Sequence, residues 1–491
     1  MRNVGNAMIF GILGLLVEVL IIVLAVIGAK HLIQTRTSHG LEILGEVFKY
    51  LALFASVFVF TFGIAGLIGR LISRGTLLTS GNQDLAISIA LTVIGAPLTY
   101  FLYRWIRSSF RKDPHEIESP IWRIYLLVAT TTSLIILVVA LRITLMYLVA
   151  DGNYDSNAIA RVLVATPVFV IHYRIQHQSI FELIHKLIGA LFGLIYLIVG
   201  AVGTLSFFLI ELFGISNDLL SPTKPLHSSL IDLAIGIPIW FFYWQSVHER
   251  FEEILVKGYL ILIGVLGTVV MALIGLTFAA NSLIIWLFGN VQHQTRGEYF
   301  ADTPNQLAIF LVLTVAYYFH RNYVVRSGDE IQHIYDYLML SIFLVLLSIG
   351  LVTTFVALFE RLANQQYLSG ASIENTPFTA LVLDVVAIPF FTIFWRRTQF
   401  ALSIEFEEEH NSPARRVFMY FALGVPSLIA IGAAIFTLYS FINTLLSHNG
   451  NLLWNIRIPA SILLVTCAVS IFHLIEWQKE NKISAMSEGL R

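Results

Sequence analysis

The chain has 491 residues, 57% of them hydrophobic and 12% charged, with a net charge of −1. A soluble protein is about 25% charged, so too few charged groups exist here to cover a water-facing surface, and the balanced total supplies no field for nucleic acid. One cysteine, Cys467, excludes an internal disulfide and a cysteine-clustered metal site.

The first element is an apolar run over 7–29, interrupted only by Glu18. It is longer than the roughly 7–15-residue core of a cleaved signal peptide, which predicts a retained spanning helix. A span needs about 20 mostly apolar residues. Further candidates follow near 47–72, 84–103, 122–149, 157–173, 186–213, 229–244, 257–288, 305–319, 334–360, 377–395, 416–446 and 457–476, making 13 in all. The later ones alternate long and short. This predicts an all-α, polytopic transmembrane protein: an N-terminal helix and linker (1–44) followed by six long–short hairpins over 45–115, 116–180, 181–252, 253–328, 329–410 and 411–491.

The short members repeat one another. Pro97, Pro167, Pro238 and Pro389 stack at one register, with Val315 and Ala468 in the other two copies. Five residues on stand Leu102, His172, Tyr243, His320, Phe394 and His473, at spacings of 70 to 79 residues. Tyr50, Tyr125, Tyr259, Tyr335 and Tyr420 mark the starts of the long members. Proline is tolerated in a membrane helix because neighbours re-satisfy the freed carbonyl. Trp105, Trp122, Trp244, Trp395 and Trp477 fall on the same side as the histidines, where an aromatic belt meets the headgroups.

The proline-to-aromatic ends and basic-aromatic starts such as Arg123-Ile124-Tyr125-Leu126 resemble a bacterial family of multi-pass membrane proteins. Its members carry tandem copies of an uncharacterised helical module, a domain of unknown function. The resemblance covers about residues 45–480 and implies a fold and a compartment, with no catalytic residues to carry over.

Lys and Arg concentrate in the linkers between hairpins, notably Arg111/Lys112, Arg396/Arg397 and Arg415/Arg416. The positive-inside rule then places linkers and C-terminus in the cytoplasm and the N-terminus outside, in the cell (inner) membrane. The acidic run Glu405, Glu407, Glu408, Glu409 lies in one linker too short to fold alone. No P-loop, dinucleotide fingerprint, His-Glu-x-x-His or nucleophile elbow occurs, so no enzymatic activity and no cofactor are expected.

Ionisable residues inside a span are functional candidates by default. The deepest are Glu18, Arg142 and Asp384, a polar site for substrate or proton; the plainer reading is a structural ion pair. Arg70, Glu211 and Glu360 align with Tyr147, Trp286 and Thr444 near the outer face, as a vestibule rim or simply where spans meet headgroups. His172, His320 and His473 are of a type that ligates haems and metals, though interfacial histidines fit better. Gly189 and Gly193 form a GxxxG, which permits close helix contact. The leading expectation is transport or permeation through a ring or crescent of hairpins. The alternative is a structural or accessory subunit whose partners are the bilayer and other membrane subunits, with no nucleic acid.

Overall fold

The computed structural model describes residues 39–489 apart from 74–80, 150–153, 177–179, 216–222, 251–252, 292–293, 327–328, 364–371 and 448–450. Twelve helices long and apolar enough to cross a membrane follow one another, and the described residues contain no strand. They are α1 (His39–Ile72), α2 (Gly81–Lys112), α3 (Pro120–Val149), α4 (Ser156–Ile175), α5 (Ile180–Phe213), α6 (Thr223–His248), α7 (Ile254–Phe288), α8 (Thr303–Arg326), α9 (Asp329–Ala363), α10 (Ser372–Ile404), α11 (Pro413–Ser447) and α12 (Leu452–Gly489). The expected first span and Glu18 lie outside the described residues.

Among the described helices the first of each pair is the longer in five pairs of six, by only two residues in α1–α2 and α9–α10. α10 has 33 residues against 35 for α9, and α12 has 38 against 35 for α11. A hydrogen-bond ladder does not stop where lipid stops: α2, α10 and α12 carry their polar ends onward as helix. Pro97, Pro167, Pro238 and Pro389 all lie inside helices.

The chain divides into two compact units, 1–185 and 186–491. In the first, α1 packs along α2 and α3 along α4, and α1 also rests on α4. In the second, α7 packs on α8, α9 on α10 and α11 on α12. There α7 also rests on α10 and α9 on α12, so the first helix of one pair meets the second helix of the next. Many large apolar side chains face outward, among them Phe101, Phe241, Leu428 and Phe436, as a lipid-facing surface requires.

At the turn end of three pairs, the next pair closes the first helix. The last carbonyls of a helix have no partner within it. Ile72 O accepts from the Tyr154 hydroxyl. Asn290 O accepts from Asn375 Nδ2 at 2.9 Å, while Asn375 Oδ1 accepts from Asn290 N at 2.8 Å. Ala363 O accepts from Asn451 Nδ2 at 2.7 Å.

α5 and α6 meet along the GxxxG. A Cβ on Gly193 would lie 2.4 Å from Trp240 N and 2.7 Å from Trp240 Cα, and one on Gly189 would lie 2.6 Å from the Tyr243 ring. Backbone cannot yield as a side-chain tip can. Gly193→Ala should therefore lower the thermal midpoint in detergent, by about 1–3 kcal/mol of overpacking. Gly424→Ala on α11, where nothing lies within 4 Å, should leave it unchanged or slightly raised. Equal midpoints for the two variants would refute the close approach.

Candidate functional site

Of the three deepest charges, Arg142 and Asp384 lie among the described residues. Asp384, half-buried on α10, accepts from the Thr354 hydroxyl of α9 at 2.7 Å, a contact inside its own pair. Gly350 makes room for it: a Cβ there would lie 2.3 Å from Asp384 Oδ1. Arg142 is half-buried on α3 in the first unit, and Asp384 belongs to the second. Of the aligned outer-face residues, Arg70 is half-buried in the last turn of α1 and Glu211 is exposed on α5. Glu360 pairs with Arg457 of α12 at 3.3 Å, and the Arg457 guanidinium lies 3.6 Å over the Trp454 ring. Thr444 accepts from Asn455 at 2.9 Å. Glu360 and Thr444 thus take part in helix-to-helix contacts.

His172, His320 and His473 face inward. Each is buried against the first helix of its own pair, beside Tyr125, Tyr259 and Phe418 respectively. Nδ1 of each donates to the carbonyl four residues back, Val168, Ala316 or Val469, which leaves Nε2 an acceptor. His172 Nε2 accepts from Tyr125 OH at 2.9 Å. His320 Nε2, His473 Nε2 and the Tyr259 hydroxyl have no hydrogen-bond partner. A π-helical stretch, Leu260–Gly267, follows Tyr259 directly. Trp122 and Trp244, expected in an interfacial belt, are buried too.

The alignment of tyrosines needs one correction. Tyr420 is 69% exposed, whereas Phe418 is buried and meets His473. Two residues along a helix turn a side chain by about 200°, so Phe418 is the true counterpart of Tyr125.

The richest polar site lies at the linker end of the second unit and was not singled out by sequence. Glu409, in the short helix Phe406–Asn411, accepts from the Tyr337 hydroxyl through Oε1 and contacts His333 Nδ1 through Oε2 at 3.1 Å. Arg415 donates to Tyr337 OH at 2.7 Å and to Glu480 Oε2 at 3.0 Å, with a second bond to Glu480 Oε1. His410 stands 3.5 Å from Glu480. Glu409, Arg415 and Glu480 are all buried. α9, the short helix with α11 directly after it, and α12 are therefore fastened by one chain of contacts.

The first unit contains the same device. Glu116, in the 3-10 turn Pro114–Glu118, accepts from Lys49 and, at 3.0 Å, from the Tyr50 hydroxyl. Tyr50 packs on Trp122 and Tyr125, as Tyr337 packs on Phe418. Trp122 and Arg415 each stand six residues after their glutamate. That shared spacing was the available signal.

A family model described as a domain of unknown function (DUF5671) matches residues 46–155 and again 333–468, together just over half of the chain. The chain belongs to this family. Each match opens four residues before the clasp tyrosine, Tyr50 or Tyr337, and takes in its glutamate, so the module occurs twice with the same device inside it. No curated protein and no solved structure matches the chain.

Burial is the largest influence on Glu116 and raises its pKa. Hydrogen bonds from Lys49, Ser109 and Tyr50, with the Lys49 charge, outweigh it and hold the carboxyl below its ordinary value. A carboxylate depressed on folding contributes stability above its unfolded pKa and loses it as pH falls through the folded value. Glu116→Gln should cost about 1–3 kcal/mol at neutral pH. The gap between wild type and variant, read from thermal melts, should close as pH falls through and below the ordinary carboxylate range. A gap that persists in acid would mean the contact is not ionic.

Proposed function

We propose that this is a non-enzymatic, multi-pass protein of the cell (inner) membrane that acts as a structural or accessory subunit of a larger membrane assembly. The observation that carries this reading is the use of its intramembrane and interfacial charges: Asp384 is bonded to Thr354, Glu360 to Arg457, Glu409 to Tyr337 and His333, and Arg415 to Glu480. Charges committed to helix contacts hold helices in place and are poorly suited to passing a substrate along. The bilayer and other membrane subunits are the partners, and nucleic acid is not.

A second reading, permeation, has one observation in its favour. The unpartnered Tyr259 hydroxyl and His320 Nε2 sit beside a π-helical stretch, and such stretches recur at functional sites. The two readings separate in one experiment. Chain purified from its native membrane in mild detergent should run with a stoichiometric membrane subunit and, alone in liposomes, should pass neither protons nor potassium. A solitary chain with flux that His320→Leu abolishes would reverse the conclusion.

We further propose that the linkers and C-terminus are cytoplasmic. With Cys467→Ala as background, Glu408→Cys in intact cells should resist a membrane-impermeant maleimide and react once the cells are permeabilised. Labelling without permeabilisation would invert the topology.

A further inference from the structure

Beside the Glu409 clasp lies a cavity of about 250 Å³. Its polar walls include His333, Asp336 and Tyr337 of α9 together with Arg397 and Thr398 of α10. These residues stand at the linker ends of two candidate spans, the depth at which phospholipid headgroups lie. The volume falls below the roughly 300–1,000 Å³ typical of drug-sized ligands, and it exceeds several times the about 30 Å³ that one water occupies. A headgroup is the size of object that it holds.

The groups in the cavity are unequally committed. Glu409 is consumed by Tyr337 and His333. Asp336 Oδ1 is buried and accepts no hydrogen bond. Arg397 stands 3.7 Å from that oxygen, an ion-pair distance too long for a hydrogen bond, with its guanidinium 5.4 Å from the Phe394 ring centroid. Arg397 is about half exposed and Asp336 mostly covered. The cavity therefore offers a carboxylate acceptor at depth and a guanidinium donor at the mouth. The Arg321 and Arg397 charges both act on Asp336, yet neither donates a hydrogen bond to its buried Oδ1, which favours a group with N–H donors in the deep position.

We propose that this cavity binds the headgroup of an aminophospholipid: the primary ammonium donates to Asp336, and the phosphodiester lies against Arg397. This rests on the reading of α9 and α10 as membrane spans and is independent of the accessory-subunit proposal. A primary ammonium has three N–H donors, whereas a choline headgroup has none and is larger, so Asp336 discriminates between them. A purely anionic headgroup would satisfy Arg397 but bring no N–H donor to Asp336.

The test is native mass spectrometry of the full-length chain with equimolar phosphatidylethanolamine, phosphatidylcholine and phosphatidylglycerol. The ethanolamine lipid should be retained several-fold over the other two. Asp336→Asn should erase that preference, and Arg397→Gln should lower retention of the ethanolamine and choline lipids alike. If Asp336→Asn fails to fold, wild type titrated with the mono- and dimethylated ethanolamine lipids reads the same contact, and retention should fall as N–H donors are lost. Equal retention across that series, a preference for phosphatidylglycerol, or an unchanged preference in Asp336→Asn would overturn the proposal. Stabilisation by soluble phosphoethanolamine in phosphatidylcholine nanodiscs, with none from phosphatidylethanolamine, would overturn the lipid as its source.

Discussion

A glutamate buried at a junction of helices constrains what surrounds it. Glu116 and Glu409 both lie in connections between helix pairs, where a solvated carboxylate would cost nothing. Burying one without partners costs several kcal/mol. Its position must therefore be met by donors from elements already in place. Each glutamate has a phenol from the start of the preceding pair's first helix, and each has a basic residue close by: Lys49 directly, or Arg415 through Tyr337. Because those donors come from distant parts of the chain, one carboxylate fixes where a linker runs and where the next span begins.

The turn ends of the pairs solve a different problem by a comparable route. There the unpaired groups are the last carbonyls of α1, α7 and α9, and the donors are Tyr154, Asn375 and Asn451 from the pair that follows. A helix end near lipid has little water to call on, so a side chain from the neighbour is the available partner. The first pair is thus fastened to the second, and the fifth to the sixth, at both ends of the span. Between those ends small residues lie where backbones come close, as at Gly193 against Trp240, and polar contacts such as Thr354 to Asp384 are few. Polar specificity at the rims and close packing in the middle divide the work: the rims set which helix meets which, and the middle sets how near.

Sequence pattern revealed what is local and periodic. Thirteen apolar stretches stood out because each is long against the period of a helix; the twelve within the described residues are helices, and the register five residues past the prolines is recovered as the place where Leu102, His172, Tyr243, His320, Phe394 and His473 meet their own pair's first helix. What pattern missed depends on contacts between distant residues. The run ending in Glu409 reads as a solvated acidic linker until Tyr337 and His333 are placed beside it. Asp384 reads as a lone buried charge until Thr354 and Gly350 are found opposite it. Tyr420 and Phe418 both suit the start of a span, and only packing shows that the phenylalanine points inward.

The repeated register also shows what the repetition preserves. The six residues at that site differ in size, polarity and hydrogen-bonding capacity, and their partners differ to match. Tyr243 has Gly189 opposite it, and His320 has Gly264 in the π-helical stretch. His172 instead meets a tyrosine that donates to it, and His473 lies edge-on to Trp395 and beside Phe418. A chemical role held in common would require the ring nitrogen to be presented alike in each copy, yet one is bonded and two are not. What persists is a filled position at the linker end of each pair, with volume exchanged across it. Function that depends on the ring nitrogen, if a copy carries any, therefore belongs to an individual pair: among the described residues, only α7 and α8 combine an unbonded histidine, an unbonded tyrosine and a local change of helical pitch at this site.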